Sequence, residues 1–116
     1  MNIQVIYCNH QTAAIQVREK LAFSQSEQLL RAYGELRGRF PTSEHVVIST
    51  CNRIELYSAQ EQVGDAPSSI EVARFLAEFH KVPVDEFLGD LLTRVGPDAV
   101  RHLFEVASSV DSMVLG

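Results

Sequence analysis

Val46-Val47-Ile48-Ser49-Thr50-Cys51-Asn52-Arg53-Ile54-Glu55-Leu56-Tyr57-Ser58-Ala59 is the stretch on which the fold turns. Val46-Val47-Ile48 is a short, continuous, β-branched run, the pattern of a strand covered on both faces, whereas Ile54 to Ala59 alternates like a strand with one covered face. The polar residues Ser49 to Arg53 between them form a turn, which places Cys51 at a strand end, where a side chain is presented rather than packed. Upstream, Ile3 to Tyr7 reads as a strand ending at Asn9-His10-Gln11-Thr12. Thr12 is placed to cap a helix over 13–23. Ser24-Gln25-Ser26-Glu27 fits a capping box for a second helix, with Leu29, Tyr33, Leu36 and Phe40 at helical spacing and an end before Pro41.

Downstream, Ser68-Ser69-Ile70-Glu71 is another capping box, followed by the stripe Val72, Phe75, Leu76 and Phe79. Gln60 to Ala66 and Pro83 to Asp90 are irregular by composition. Leu91 to Val95 reads as a last strand. Gly96-Pro97 then primes a final helix, whose Val100, Leu103, Phe104 and Ala107 recur at helical spacing. The order β, α, β, β, α, β with a trailing helix predicts an α+β fold. Its expected form is a ferredoxin-like split βαβ sandwich with helices on one face of the sheet and an extra C-terminal helix.

The chain has 116 residues, 46% of them hydrophobic and 22% charged, which fits one globular domain over 1–116. Its net charge is −5 and Lys and Arg form no block, so composition provides no electrostatic footprint for nucleic acid. No run approaches the roughly 18 apolar residues of a membrane span, and MNIQVIYCNH lacks the basic head and apolar run of a signal peptide. The expectation is a cytoplasmic protein with no membrane partner, in which Cys8 and Cys51 are free thiols. The chain stops at Ser112 to Gly116 inside a helical pattern, as a truncated chain would.

Cys51 is the sharpest candidate for chemistry. It is a thiol in a hydrophilic turn, two residues from the guanidinium of Arg53, and the nucleophile is the thiolate that a nearby cation favours. The bland alternative is a small buried residue, the reading given to Cys8. His102 lies about 150° from the centre of the Val100, Leu103, Phe104, Ala107 stripe on a helical wheel, so it is expected to point away from the core. It is either a surface histidine or a proton donor and acceptor. Arg53 either grips a carboxylate or is a solvated charge beside Glu55. His10, His45 and His80 show no ligand spacing with the cysteines, so no metal is expected. The absence of G-x-G-x-x-G argues against a dinucleotide site in this chain.

Three segments together resemble glutamyl-tRNA reductase, in its N-terminal catalytic domain. They are Asn9-His10-Gln11-Thr12-Ala13 with Arg18-Glu19-Lys20-Leu21-Ala22-Phe23, then Ser49-Thr50-Cys51-Asn52-Arg53-Ile54-Glu55-Leu56-Tyr57, then His102-Leu103-Phe104 through Asp111-Ser112-Met113-Val114-Leu115-Gly116. The resemblance implies NADPH-dependent reduction of glutamyl-tRNA to glutamate-1-semialdehyde through a thioester on Cys51, the first step of tetrapyrrole biosynthesis from glutamate. It implies a glutamate pocket lined by Thr50, Cys51, Asn52 and Arg53, with Arg53 on a substrate carboxylate, a polar contact from Ser112, and His102 in proton transfer or orientation. It also implies a Rossmann NADPH domain and a dimerisation helix outside this chain, a homodimer, and the downstream glutamate-1-semialdehyde aminomutase as a partner. The sequence departs from the family's pattern at Ala14, where proline is frequent, and at Ser109-Val110, where Gly-Leu is usual. Two other classes are open on the residues alone. One is a non-catalytic binding or regulatory module of the same fold, with a structural Cys51. The other is a thiol hydrolase of small esters or amides, for which no oxyanion-hole signature is present.

Overall fold

Strand β1 (Asn2–Asn9) forms the centre of the sheet because its residues are apolar on both faces: Val5, Ile6, Tyr7 and Cys8 are all buried. In the computed structural model residues 1–115 are described, with their side chains through residue 108. After β1 come α1 (Ile15–Leu21), α2 (Ser26–Arg39), β2 (Glu44–Ser49), β3 (Arg53–Gln60), α3 (Ser69–His80), β4 (Leu92–Val95) and α4 (Pro97–Leu115). The sheet order is β2-β3-β1-β4, and every neighbouring pair is antiparallel. The domain is therefore a small mixed α/β unit in which β3 is inserted between β1 and β2.

The alternation of side chains along the strands gives the sheet two unlike faces. Ile6 and Cys8 of β1 and Ile54 and Leu56 of β3 point to a large core completed by Leu21, Ala32, Leu36, Val72, Phe75, Leu76 and Phe79 from α1, α2 and α3. Ile3, Val5 and Tyr7 of β1 and Tyr57 of β3 point the other way, where they meet Ala99 of α4. The helices α1, α2 and α3 thus lie on one face as expected, and the trailing helix α4, for which no face was read, covers the other, because the strands carry buried side chains on both sides and a one-sided layer would leave Val5 and Tyr7 in water.

Local signals succeed where they are reciprocal. Ser68 caps α3 as read, its hydroxyl accepting from Glu71 N at 3.2 Å while the Glu71 carboxylate accepts from Ser68 N at 3.0 Å. The box read at Ser24 does not form; α2 starts at Ser26 after an uncapped Gln25, and Ser24 N donates instead to Gln28 Oε1 at 3.0 Å. Thr12 is likewise no helix cap. Its hydroxyl accepts from Asn9 N at 3.1 Å and closes the turn after β1, and α1 begins at Ile15. The stretch 83–90, irregular by composition, folds as two short 3-10 turns that drive Phe87 into the core at 1% exposure.

His80 ends α3 with its ring against Phe23 and Phe79, and its Nε2 has no hydrogen-bond partner among the described residues. Burial, helped by the charge of Arg31, holds its pKa down to about 4. The unfolded chain takes up this proton near the usual histidine value of about 6.5, so between about 6.5 and about 4 the unfolded state binds more protons and stability falls as pH falls. Urea unfolding at both ends of that window should show a loss of roughly 1–2 kcal/mol, reduced from the full linkage value because the ring is partly exposed. His80→Leu should remove that part of the acid sensitivity; an identical pH dependence in the variant would contradict the assignment.

Candidate active site

Between β2 and β3 the chain turns through Thr50, Cys51 and Asn52, and this turn is tied down by hydrogen bonds rather than by packing. Thr50 N donates to Arg53 O at 2.9 Å, and Asn52 N donates to the Thr50 hydroxyl at 3.2 Å. Arg18 of α1 reaches over to donate to Cys51 O at 2.6 Å and to Ala13 O at 3.3 Å, linking the turn to the start of α1. Of the two free cysteines, Cys51 is exposed and Cys8 is buried. Burial, with a smaller contribution from the charge of Asp90, pushes the Cys8 thiol up to about 11.

On the α4 side of the sheet, the period of two places Arg53, Glu55 and Tyr57 in one row along β3, with Asn9, Tyr7 and Val5 opposite them on β1. Glu55 is fully buried and has three side-chain partners. Tyr57 OH donates to Oε1 at 2.8 Å, while Oε2 accepts from Arg53 Nη1 at 3.2 Å and pairs with His102 Nε2 at 2.7 Å. Burial and the bond to this carboxylate hold the Tyr57 phenol far above its ordinary range, so it remains a donor. The Tyr7 ring lies against His102, tilted by 33° with 4.2 Å between centroids, and the Tyr7 hydroxyl accepts from Arg94 Nε at 2.9 Å. Above this cluster lies a polar cleft of about 290 Å³, lined by Asn9, His10, Thr12, Arg53, Arg94 and His102 among others.

The structure therefore brings Arg53 and His102 together, through Glu55. Cys51 stands two residues before Arg53 in the adjoining turn but does not line the cleft they share. Thr50 is exposed and Asn52 half-buried in that turn, and the side chain of Ser112 lies outside the described residues. The expected aim of His102 is corrected. It is 7% exposed on the buried side of α4 with Ala99 and Val106, whereas Val100, Leu103 and Phe104 of the apolar stripe are exposed. The reason is the partner surface: the sheet offers α4 a buried carboxylate and two tyrosines, and an imidazole satisfies Glu55 where an aliphatic side chain would leave it short of a donor.

Glu55, Tyr7, Tyr57, Arg94 and Arg18 were not singled out by the sequence reading. For Glu55 a signal existed, since Arg53, Glu55 and Tyr57 fall at i, i+2, i+4 on one strand face. The described residues do not fit a dinucleotide. Its pyrophosphate needs a glycine-rich strand-to-helix turn, whereas the β1-to-α1 turn, Asn9 to Ala14, has no glycine and the β4-to-α4 turn has Gly96 alone. No helix among the described residues is long and apolar enough to cross a membrane.

Fold and cleft together define a small α/β domain that carries an exposed thiol and a buried charged cluster at one end of an antiparallel sheet. A family model described as "Glutamyl-tRNAGlu reductase, N-terminal domain" matches residues 6–116, and the chain belongs to that family. Among curated relatives, a glutamyl-tRNA reductase of Thermodesulfovibrio yellowstonii is 42% identical over 120 residues, covering 100% of this chain and 28% of the relative. The glutamyl-tRNA reductase of Citrifermentans bemidjiense is 44% identical over 118 residues, covering 100% and 26%. Among solved structures, glutamyl-tRNA reductase from Methanopyrus kandleri superposes with a TM-score of 0.65 at 27% identity, covering 96% of this chain and 23% of that one. The chain thus spans about a quarter of the length of the curated relatives it matches.

Proposed function

We propose that this chain carries the thioester-forming site of a glutamyl-tRNA reductase, on a ferredoxin-like split βαβ scaffold. The observation that carries the reading is that Cys51, in the Ser49-Thr50-Cys51-Asn52-Arg53 turn of a chain of this family, is the exposed thiol, while Cys8 is buried. The Cys51 thiolate attacks the ester carbonyl that joins glutamate to tRNA; a carbon–sulfur bond forms, the carbon–oxygen bond to the ribose breaks, and the ribose oxygen leaves with a proton. His102 supplies or orients that proton. Arg53 meets the side-chain carboxylate of the glutamate, a bond between ionised partners of the stronger kind. Thr50, Asn52 and Ser112 give the pocket its remaining polar contacts.

Reduction of the thioester to glutamate-1-semialdehyde with NADPH, and dimerisation, belong in this reading to the part of the longer protein that the relatives have beyond this match. The same reading makes the protein an oxidoreductase of tetrapyrrole biosynthesis, cytoplasmic, homodimeric as a whole, and in contact with the aminomutase that takes its aldehyde product.

The test is to mix the chain with glutamyl-tRNA labelled on the glutamate, quench in acid, and weigh the intact protein. A glutamyl adduct on Cys51 that vanishes in Cys51→Ser is expected. A folded, tRNA-bound chain that gains no adduct would leave it a non-catalytic binding module of the same fold.

A further inference from the structure

Glu55 stands out in the cluster because a carboxylate at 0% exposure is costly to bury and engages three side chains at once. Stability alone does not explain it, since apolar packing of the same volume commonly serves a fold as well as a buried ion pair. What the arrangement supplies is geometry. Oε2 is shared between Arg53 Nη1 and His102 Nε2, so one oxygen fixes both residues assigned to substrate. Arg53 and Tyr57 donate to Oε2 and Oε1 respectively, so both oxygens of Glu55 serve as acceptors in the cluster. At 2.7 Å from His102 Nε2, the oxygen that already accepts from Arg53 is placed to accept a second bond from a proton on Nε2.

From this geometry we infer that Glu55 is a positioning residue, which selects the His102 tautomer with the proton on Nε2 and leaves Nδ1 as the nitrogen that exchanges a proton. The inference rests on the proposed role of His102 and deepens it. The logic is that of a base oriented by a third group, with Glu55 orienting the imidazole and not itself transferring a proton. Tyr7 completes the clamp by covering one face of the ring. The other charged groups facing this space are Arg53, Arg94 and Glu105, which line the cleft.

The tautomer is read directly by long-range proton–nitrogen correlation on the chain labelled with nitrogen-15 histidine, with His102 assigned by its loss in His102→Gln. Neutral His102 should show a protonated Nε2 and a bare Nδ1; the opposite tautomer overturns the inference without any change at Glu55. Glu55→Met, which removes the acceptor at similar volume, should abolish the single tautomer and slow glutamyl transfer to Cys51 by about 10-fold or more. Glu55→Gln keeps an acceptor oxygen and should recover part of that rate. A folded Glu55→Met chain with unchanged tautomer and unchanged transfer rate would overturn the proposal; should that variant not fold, the wild-type spectrum and Glu55→Gln decide. If the wild-type chain forms no adduct at all, it is the thioester reading that fails, and the spectrum still judges the placement of the proton by Glu55.

Discussion

Brief treatment of the folded chain with iodoacetamide at about pH 8 is expected to modify Cys51 and leave Cys8 intact, with rates at least about 1,000-fold apart. Two effects act in the same direction. Cys8 has no exposed surface, so a reagent reaches it only through opening of the β1 region, and a thiol pushed up to about 11 is ionised to roughly one part in a thousand at that pH. Opening a core strand costs a good part of the global stability, which for a domain of this size is about 5–15 kcal/mol, and this alone slows reaction by orders of magnitude. Cys51 sits exposed in a turn and needs no opening. Peptide mass mapping after a timed quench measures both rates. In concentrated urea the two should converge; equal rates in the folded chain would mean that the β1 core is not closed as described.

Phe87→Ala should destabilise the chain by about 3 kcal/mol, whereas Phe104→Ala should change stability by no more than about 0.5 kcal/mol. Phe87 is 1% exposed in the large core, and Phe104 is 70% exposed on the outer side of α4. Truncating a buried phenylalanine loses the transfer free energy of the ring and leaves a cavity. We take the low end of the usual range because the 3-10 turns carrying Phe87 can settle inward more readily than a strand or long helix. Urea midpoints for the two variants provide the comparison. It is a demanding one, since the helical stripe in the sequence assigns Phe104 to the core and composition assigns Phe87 to an irregular loop. A larger loss from Phe104→Ala than from Phe87→Ala would restore the sequence-based assignment.

The contrast between these two phenylalanines marks how far the sequence could be read. Element types and order were legible wherever the signal was local. The Ser68 box with its apolar stripe yielded α3, and Gly96-Pro97 announced α4. The runs on either side of Cys51 yielded β2 and β3 as strands but with their covering reversed: β2 lies at the sheet edge with Val46 exposed, and internal β3 is buried on both faces. The turn that exposes Cys51 was legible for the same reason, because polarity over five residues decides whether a strand ends. The caps read at Thr12 and Ser24 failed where another bond competed for the same side chain or backbone group. Thr12 closes the turn after β1, and Ser24 is engaged by Gln28.

What the sequence by itself determined is therefore the set of strands and helices, the exposed thiol and the resemblance that names its family. The tertiary structure alone decided which face of the sheet α4 covers, that His102 turns inward, and that Glu55 joins it to Arg53. Helical periodicity reports how apolar residues are spaced, and it carries no information about the surface they will meet. Here that surface holds a buried carboxylate across 47 residues of sequence, and only packing brings such a charge and its donors within hydrogen-bond reach.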